Sequence, residues 1–360
     1  MALPPLKTLQ DCADYYHVVE PFIPQLYELP NRVLASIASP HDLKLLYLET
    51  NPLVTGTAAS VVVGLLAWIL SELNKNYSQI DRVWSILPNL YAIHMAVWAR
   101  LSGLSHTRPD MVAVATTMWS IRLTYNYYRK GGYQVGSEDY RWEIAKKNVP
   151  GFVWFIFNFT FISFIQSFLL CLLSAGPAYV ILLSSQKEPQ IKPTDFLYFS
   201  IQILLVWSEW ITDGQQWDYQ TAKQRYRKDG VVGNGFTKAD LERGFITKGV
   251  WAYSRHPNFF AEQTFWFVLY NWSCYASESA YSWAGAGAAA LILLFQGSTL
   301  LTESITGGKY PEYADYQREV GMFIPISFIG YKPPVRQPKI IRTSELAKRQ
   351  EEKQRKEQNQ

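Results

Sequence analysis

The sequence predicts an all-α, polytopic membrane protein of about seven transmembrane helices with a polar cavity open to the cytosol. Three observations lead there. Of 360 residues, 48% are hydrophobic and 15% aromatic, but only 18% are charged. Residues 50–71, 148–186 and 279–302 contain no Asp, Glu, Lys or Arg, and each gap exceeds the roughly 20 apolar residues that cross a bilayer. The ionisable residues that do fall in apolar segments gather toward one side. A mean hydropathy of −0.08 would by itself pass for a soluble protein, but the charge-free runs exclude that class.

Taken in order, residues 1–51 form an N-terminal arm. Its first ten residues hold one Lys and two prolines with no continuous apolar stretch behind them, so no cleavable signal peptide is expected. Apolar windows of about 19 residues place spans at 52–72, 83–100, 111–128, 152–173, 196–211, 259–276 and 283–301. After the fourth, apolar sequence continues through Gly176-Pro177 to Leu183. Proline removes a helical hydrogen bond, so the helix is expected to break there and the remainder to lie at the interface. Residues 52–330 are read as one membrane domain without an internal repeat. Residues 331–360, ending KRQEEKQRKEQNQ, are read as a charged cytosolic tail, helical or disordered. Cys12, Cys171 and Cys274 have neither disulfide-framework nor zinc-ligand spacing.

Sidedness follows from Lys and Arg, which are retained on the cytosolic side. With the N-terminus lumenal, the cytosolic segments carry 26 Lys/Arg and the lumenal ones 6. The formal charge of +4 comes mostly from the tail and is no sign of nucleic-acid binding. Ionisable groups in hydrocarbon are functional candidates by default. Asp81, Arg82, Arg122, Glu209, Asp213, Glu262 and Glu303 all fall in the cytosolic half, which points to one polar cavity rather than scattered snorkelling.

The 213–256 connection is the longest on that side. It opens Asp213-Gly214-Gln215-Gln216-Trp217-Asp218, carries Lys223, Arg225, Arg227 and Lys228, and closes on Arg255-His256-Pro257-Asn258 before Glu262. Amides and carboxylates suit a nicotinamide or ribose, and basic residues suit phosphates. The same basic stretch also reads as a solvated helix face, and Pro257 as ordinary first-turn chemistry.

Tyr253-Ser254-Arg255-His256-Pro257-Asn258 with Glu262, Asp213-x-Gln215, and Lys309-Tyr310-Pro311-x-Tyr313-x-x-Tyr316 resemble the C-terminal domain of the steroid 5-alpha reductase-like membrane family. Asp81-Arg82-x-Trp84-Ser85, Arg122-Leu123 and Glu138-Asp139-Tyr140-Arg141-Trp142 extend the likeness over residues 75–330. The resemblance implies an endoplasmic reticulum enzyme that uses NADPH to reduce a double bond conjugated to a carbonyl in a lipid drawn from the bilayer. It implies that Asn258 and Glu262 lie near the nicotinamide, and Gln215 is allocated with them to orienting the nicotinamide or ribose. Arg122, Asp213 or Asp218, and Arg225 or Arg227 fall where that family holds phosphate or ribose, Arg255 and His256 lie in the matching Arg-His-Pro element, and Arg129 is allocated beside Arg122 and Arg225 to phosphate charge. Asp81, Tyr125 or Tyr316 is left as proton donor or carbonyl polariser, and Tyr316 also as a lid on the cofactor. The chain departs at Trp119, where steroid reductases place a tyrosine donor; indole donates a hydrogen bond but supplies no proton. Arg-His-Pro also occurs in membrane methyltransferases that use S-adenosylmethionine, which is the competing reading, followed by a non-catalytic lipid-binding relative.

Overall fold

A computed structural model describes residues 2–334, and the tail beyond lies outside the described residues. The described chain is helical, with a single isolated bridge between Ser254 and Gly321. The principal helices are α1 (Ile23–Ser36), α2 (Pro40–Glu49), α3 (Pro52–Asn74), α4 (Leu87–Leu101), α5 (Thr107–Arg129), α6 (Gly151–Lys187), α7 (Pro193–Asp229), α8 (Pro257–Ala276), α9 (Ala286–Lys309) and α10 (Tyr313–Glu319). Local chemistry sets their ends. Ser39 and Asn51 side chains accept the Asp42 and Leu53 amides at the starts of α2 and α3, as N-caps do. Proline opens α2, α3, α7 and α8, where its missing N–H costs nothing, and Gly230 at φ 71 closes α7.

A helix occupies each of the seven expected segments. By length and apolarity alone, three could cross a bilayer: 52–74, 151–187 and 283–309. This is a multi-pass membrane protein. The other four are shorter or carry the charged and amide side chains that meet in the interior. The longest apolar helix, α6, is central, packing on α3, α4, α8 and α9.

Two expectations are corrected. Pro177 does not break the fourth segment: α6 runs unbroken from Gly151 to Lys187, and residues 178–185 are the most deeply buried stretch of the protein rather than an interfacial one. Proline is tolerated where neighbouring helices enclose it. Here α9 presses so close that a Cβ on Gly287 would lie 2.5 Å from the Leu172 carbonyl carbon. The 213–256 connection is likewise no loop at its start, because α7 continues through Asp213, Gln215 and the basic residues to Asp229. Nothing in that stretch breaks a helix except Gly214, which a helix accepts at about 1 kcal/mol.

Candidate functional site

The polar residues of α5, α7 and α8 converge on one guanidinium. Arg122 on α5 donates through Nη1 to Asp213 Oδ2 at 3.0 Å and through Nη2 to Glu209 Oε2 at 2.6 Å and Glu262 Oε2 at 3.0 Å. All four are buried, Glu209 completely. The remaining donors are distributed unequally. Glu262 also accepts from both indoles beside it: Trp119 Nε1 lies 3.0 and 3.1 Å from its two oxygens, and Trp266 Nε1 lies 3.0 Å away. Asp213 accepts from Asn258 Nδ2 at 3.3 Å, and its backbone carbonyl accepts from Arg129 Nη2 at 2.8 Å. Glu209 Oε1, Asn258 Oδ1, Gln216 Oε1 and Arg122 Nε are buried and have no hydrogen-bond partner among the described residues. Such atoms are rare in folded proteins and each asks for an explanation.

Helical spacing explains the convergence. Glu209, Asp213 and Gln216 lie four and three residues apart on α7, and Asn258 and Glu262 four apart on α8, so each set shares a face. Trp119 and Arg122 do the same on α5.

Around this centre the other expected site residues separate into groups. Gln215 is half-buried on α7, where its Oε1 accepts the Val250 amide at 3.1 Å. It borders a cavity of about 720 Å³ with Lys248, Gly249, Tyr253 and Tyr331. Gly249 is required there, with φ at 65 and a would-be Cβ only 2.5 Å from Gln215 Oε1. Arg129 stacks over Trp217 and Tyr125, with its guanidinium carbon 5.1 and 5.5 Å from the ring centres. Asp218, Arg225 and Arg227 lie exposed on the C-terminal extension of α7, and Arg227 donates to the Tyr310 hydroxyl at 3.0 Å. Nearby, Lys223 is buried and donates to the Gly244 carbonyl at 3.0 Å. Burial, with Arg227 and Lys309 adding repulsion, lowers its ammonium to about 8. Across the same patch, Asp240 is held well below the usual carboxylate range: burial pushes it up, but Lys248, Thr237 and Arg243 outweigh that push.

Arg255 and His256 form a second buried centre. Arg255 Nε and Nη2 donate to Glu303 at 2.6 and 3.1 Å, and His256 Nε2 lies 2.9 Å from the same carboxylate. Tyr313 and Gln317 complete it at 3.2 and 2.8 Å. This centre ties α8 to α9 and to the C-terminal segment, whose Gly321 and Met322 carbonyls accept the Arg255 and His256 amides.

None of the three expected proton donors hydrogen-bonds to the Arg122 cluster. Tyr316 is buried in the C-terminal layer and its hydroxyl donates to the Trp251 carbonyl. Tyr125 is half exposed and stacks on Trp210. Asp81 accepts from Trp142 Nε1 at 2.8 Å; burial pushes its carboxyl up, against hydrogen bonds from Ser78 and Trp142. Sequence reasoning missed Trp266 as a donor to Glu262, the part of Trp119 in holding that carboxylate, and a buried ion pair at the opposite end of the same helices. There Arg108 Nε meets Asp195 Oδ2 at 2.9 Å, with Trp272 Nε1 on the other oxygen at 2.8 Å. The signal was present: Arg108 and Arg122 share a face of α5, and Asp195 and Glu209 share a face of α7.

The chain belongs to the family described as a protein of unknown function, DUF1295, whose model matches residues 67–320. An uncharacterized protein of Schizosaccharomyces pombe is 37% identical over 326 residues, covering 90% of this chain and 93% of that one. No solved structure matches. The matched region contains every residue of the Arg122 cluster, so the family shares the segments that build it.

Proposed function

We propose that the protein is a membrane oxidoreductase that uses NADPH to reduce an activated carbon–carbon double bond in a lipid. The observation that carries this reading is the set of buried, unpartnered atoms at the Arg122 cluster. Asn258 Oδ1, Glu209 Oε1 and Gln216 Oε1 accept, and Arg122 Nε donates. A carboxamide presents the complementary pair, two N–H donors and one carbonyl acceptor, so the residues fit a nicotinamide. When bound, that cofactor supplies the hydride. The chain's part is to orient the ring through Asn258 and Glu209, to exclude water with Trp119 and Trp266, and to hold charge fixed before the reaction begins. Arg122, enclosed by three carboxylates, organises the site; phosphates are better served by Arg129, Arg225 and Arg227 and the cavity beside Gln215.

In this reading all seven helices cross the endoplasmic reticulum membrane, the N-terminus is lumenal and the C-terminus cytosolic, and the lipid enters from the bilayer. The test is equilibrium binding of NADPH and, separately, S-adenosylmethionine to detergent-solubilised protein. NADPH should bind, and Asn258→Ala should weaken it by about tenfold, since a lost hydrogen bond costs about 1 kcal/mol or more. Tight binding of S-adenosylmethionine alone would assign the chain to the methyltransferases. Binding of neither would leave a non-catalytic lipid protein.

A further inference from the structure

Two ion pairs fix the register of α5 and α7. Arg108 meets Asp195 near one end and Arg122 meets Glu209 near the other, with the same fourteen-residue interval on each helix. The helices therefore run parallel and in step over about 21 Å. Halfway along, the register sets Ala115 opposite Gln202, and both are fully buried. On α8, Glu262 lies at the Arg122 level and Trp272 at the Asp195 level, so Phe265 and Leu269 enclose the middle. Gln202 sits in this apolar layer with neither its amide oxygen nor its nitrogen partnered among the described residues. Burying a bare amide costs about 2 kcal/mol or more. A leucine would remove that cost, so the amide implies a partner that the described residues do not supply.

We propose that Gln202 determines specificity by binding a hydroxyl or carbonyl at the far end of the lipid, about 10 Å from the reacting group at the Arg122 level. A carboxamide both donates and accepts, which suits either oxygen function. Ala115 presents only a methyl group on the facing helix. The lipid class is thus an apolar molecule with two oxygen functions separated by about two turns of helix. The proposal rests on the reductase reading only in placing the reacting end.

The test uses purified full-length protein in detergent micelles without NADPH. The probes are a straight-chain α,β-unsaturated methyl ketone bearing a hydroxyl about 10 Å from its double bond and the same ketone without the hydroxyl, with binding read as a ligand-dependent shift in melting temperature. Wild type should prefer the hydroxylated ketone by about tenfold, because a buried polar group discriminates against an analogue that leaves it unpaired. Gln202→Leu should bind the two equally, and Ala115→Leu should weaken both. The same preference in wild type and Gln202→Leu would overturn the proposal, as would failure of either ketone to bind wild type. If NADPH does not bind but the hydroxyl preference still depends on Gln202, the reductase reading falls and the lipid site stands.

Discussion

At the scale of single residues, charge placement dominates. Three carboxylates share Arg122 in a buried layer, so its removal leaves buried charges uncompensated. Breaking such a pair from one side typically costs about 3–5 kcal/mol. Arg122→Gln should therefore lower the melting temperature in detergent far more than the surface substitution Arg318→Gln, whose partner Asp315 is solvent-exposed; equal shifts would show that the cluster is not a stabilising centre. Lys223 gives a prediction in pH. Its ammonium titrates near 8 in the folded protein and near 10.4 when unfolded. The folded state therefore binds fewer protons between those values, and stability rises with pH across that window. Below about 8 the full cost of burying the charge is present. Melting temperatures taken from pH 7 to 10.5 should climb for wild type relative to Lys223→Met, and parallel curves would remove Lys223 from the account.

The elements show why some of this was legible in the sequence and some was not. Hydropathy located all seven helices because the apolar runs are long and bounded by proline and charge. It misjudged where α6 and α7 stop. The continuity of α6 past Pro177 depends on what surrounds it, and a one-dimensional pattern holds no record of Gly287 on α9 approaching its backbone. Gly287→Leu should disrupt that crossing, since its Cβ would fall 2.5 Å from the carbonyl carbon of Leu172 and overpacking costs about 1–3 kcal/mol. Gly297→Leu, on the same helix and facing open space, is the control. Equal yields of monodisperse protein from the two variants would contradict the close approach. At the site, Arg122, Asp213 and Glu262 were legible as ionisable residues in apolar segments, and Asn258 through the Arg-His-Pro-Asn element before Glu262. Glu209 was visible in the same way, yet its contact with Arg122 needed the register of two helices distant in sequence. The tyrosines were not legible, because an aromatic with one polar atom fits a lipid interface, a buried layer and an active site equally well.

For the whole molecule, the asymmetry of charge predicts sidedness. A C-terminal tag should be cleaved by protease added to intact microsomes, and the sequon Asn76-Tyr77-Ser78, in the connection between the first two expected spans that the charge count assigns to the cytosol, should carry no glycan; protection of the tag or a glycan at Asn76 would invert the arrangement. The separation of the site's parts along the chain has a further consequence, for synthesis. Arg122 and Glu209 are 87 residues apart, so at roughly 5–20 residues per second the guanidinium emerges from the ribosome about 4–17 s before its first carboxylate partner, and Glu262 follows later still. During that interval α5 carries an uncompensated cation. Its place in the last third of the helix lets a long basic side chain reach toward the headgroups until α7 is made. Synthesis thus sets the order in which the cluster is completed: Arg122 first, then Glu209 and Asp213, and Glu262 last.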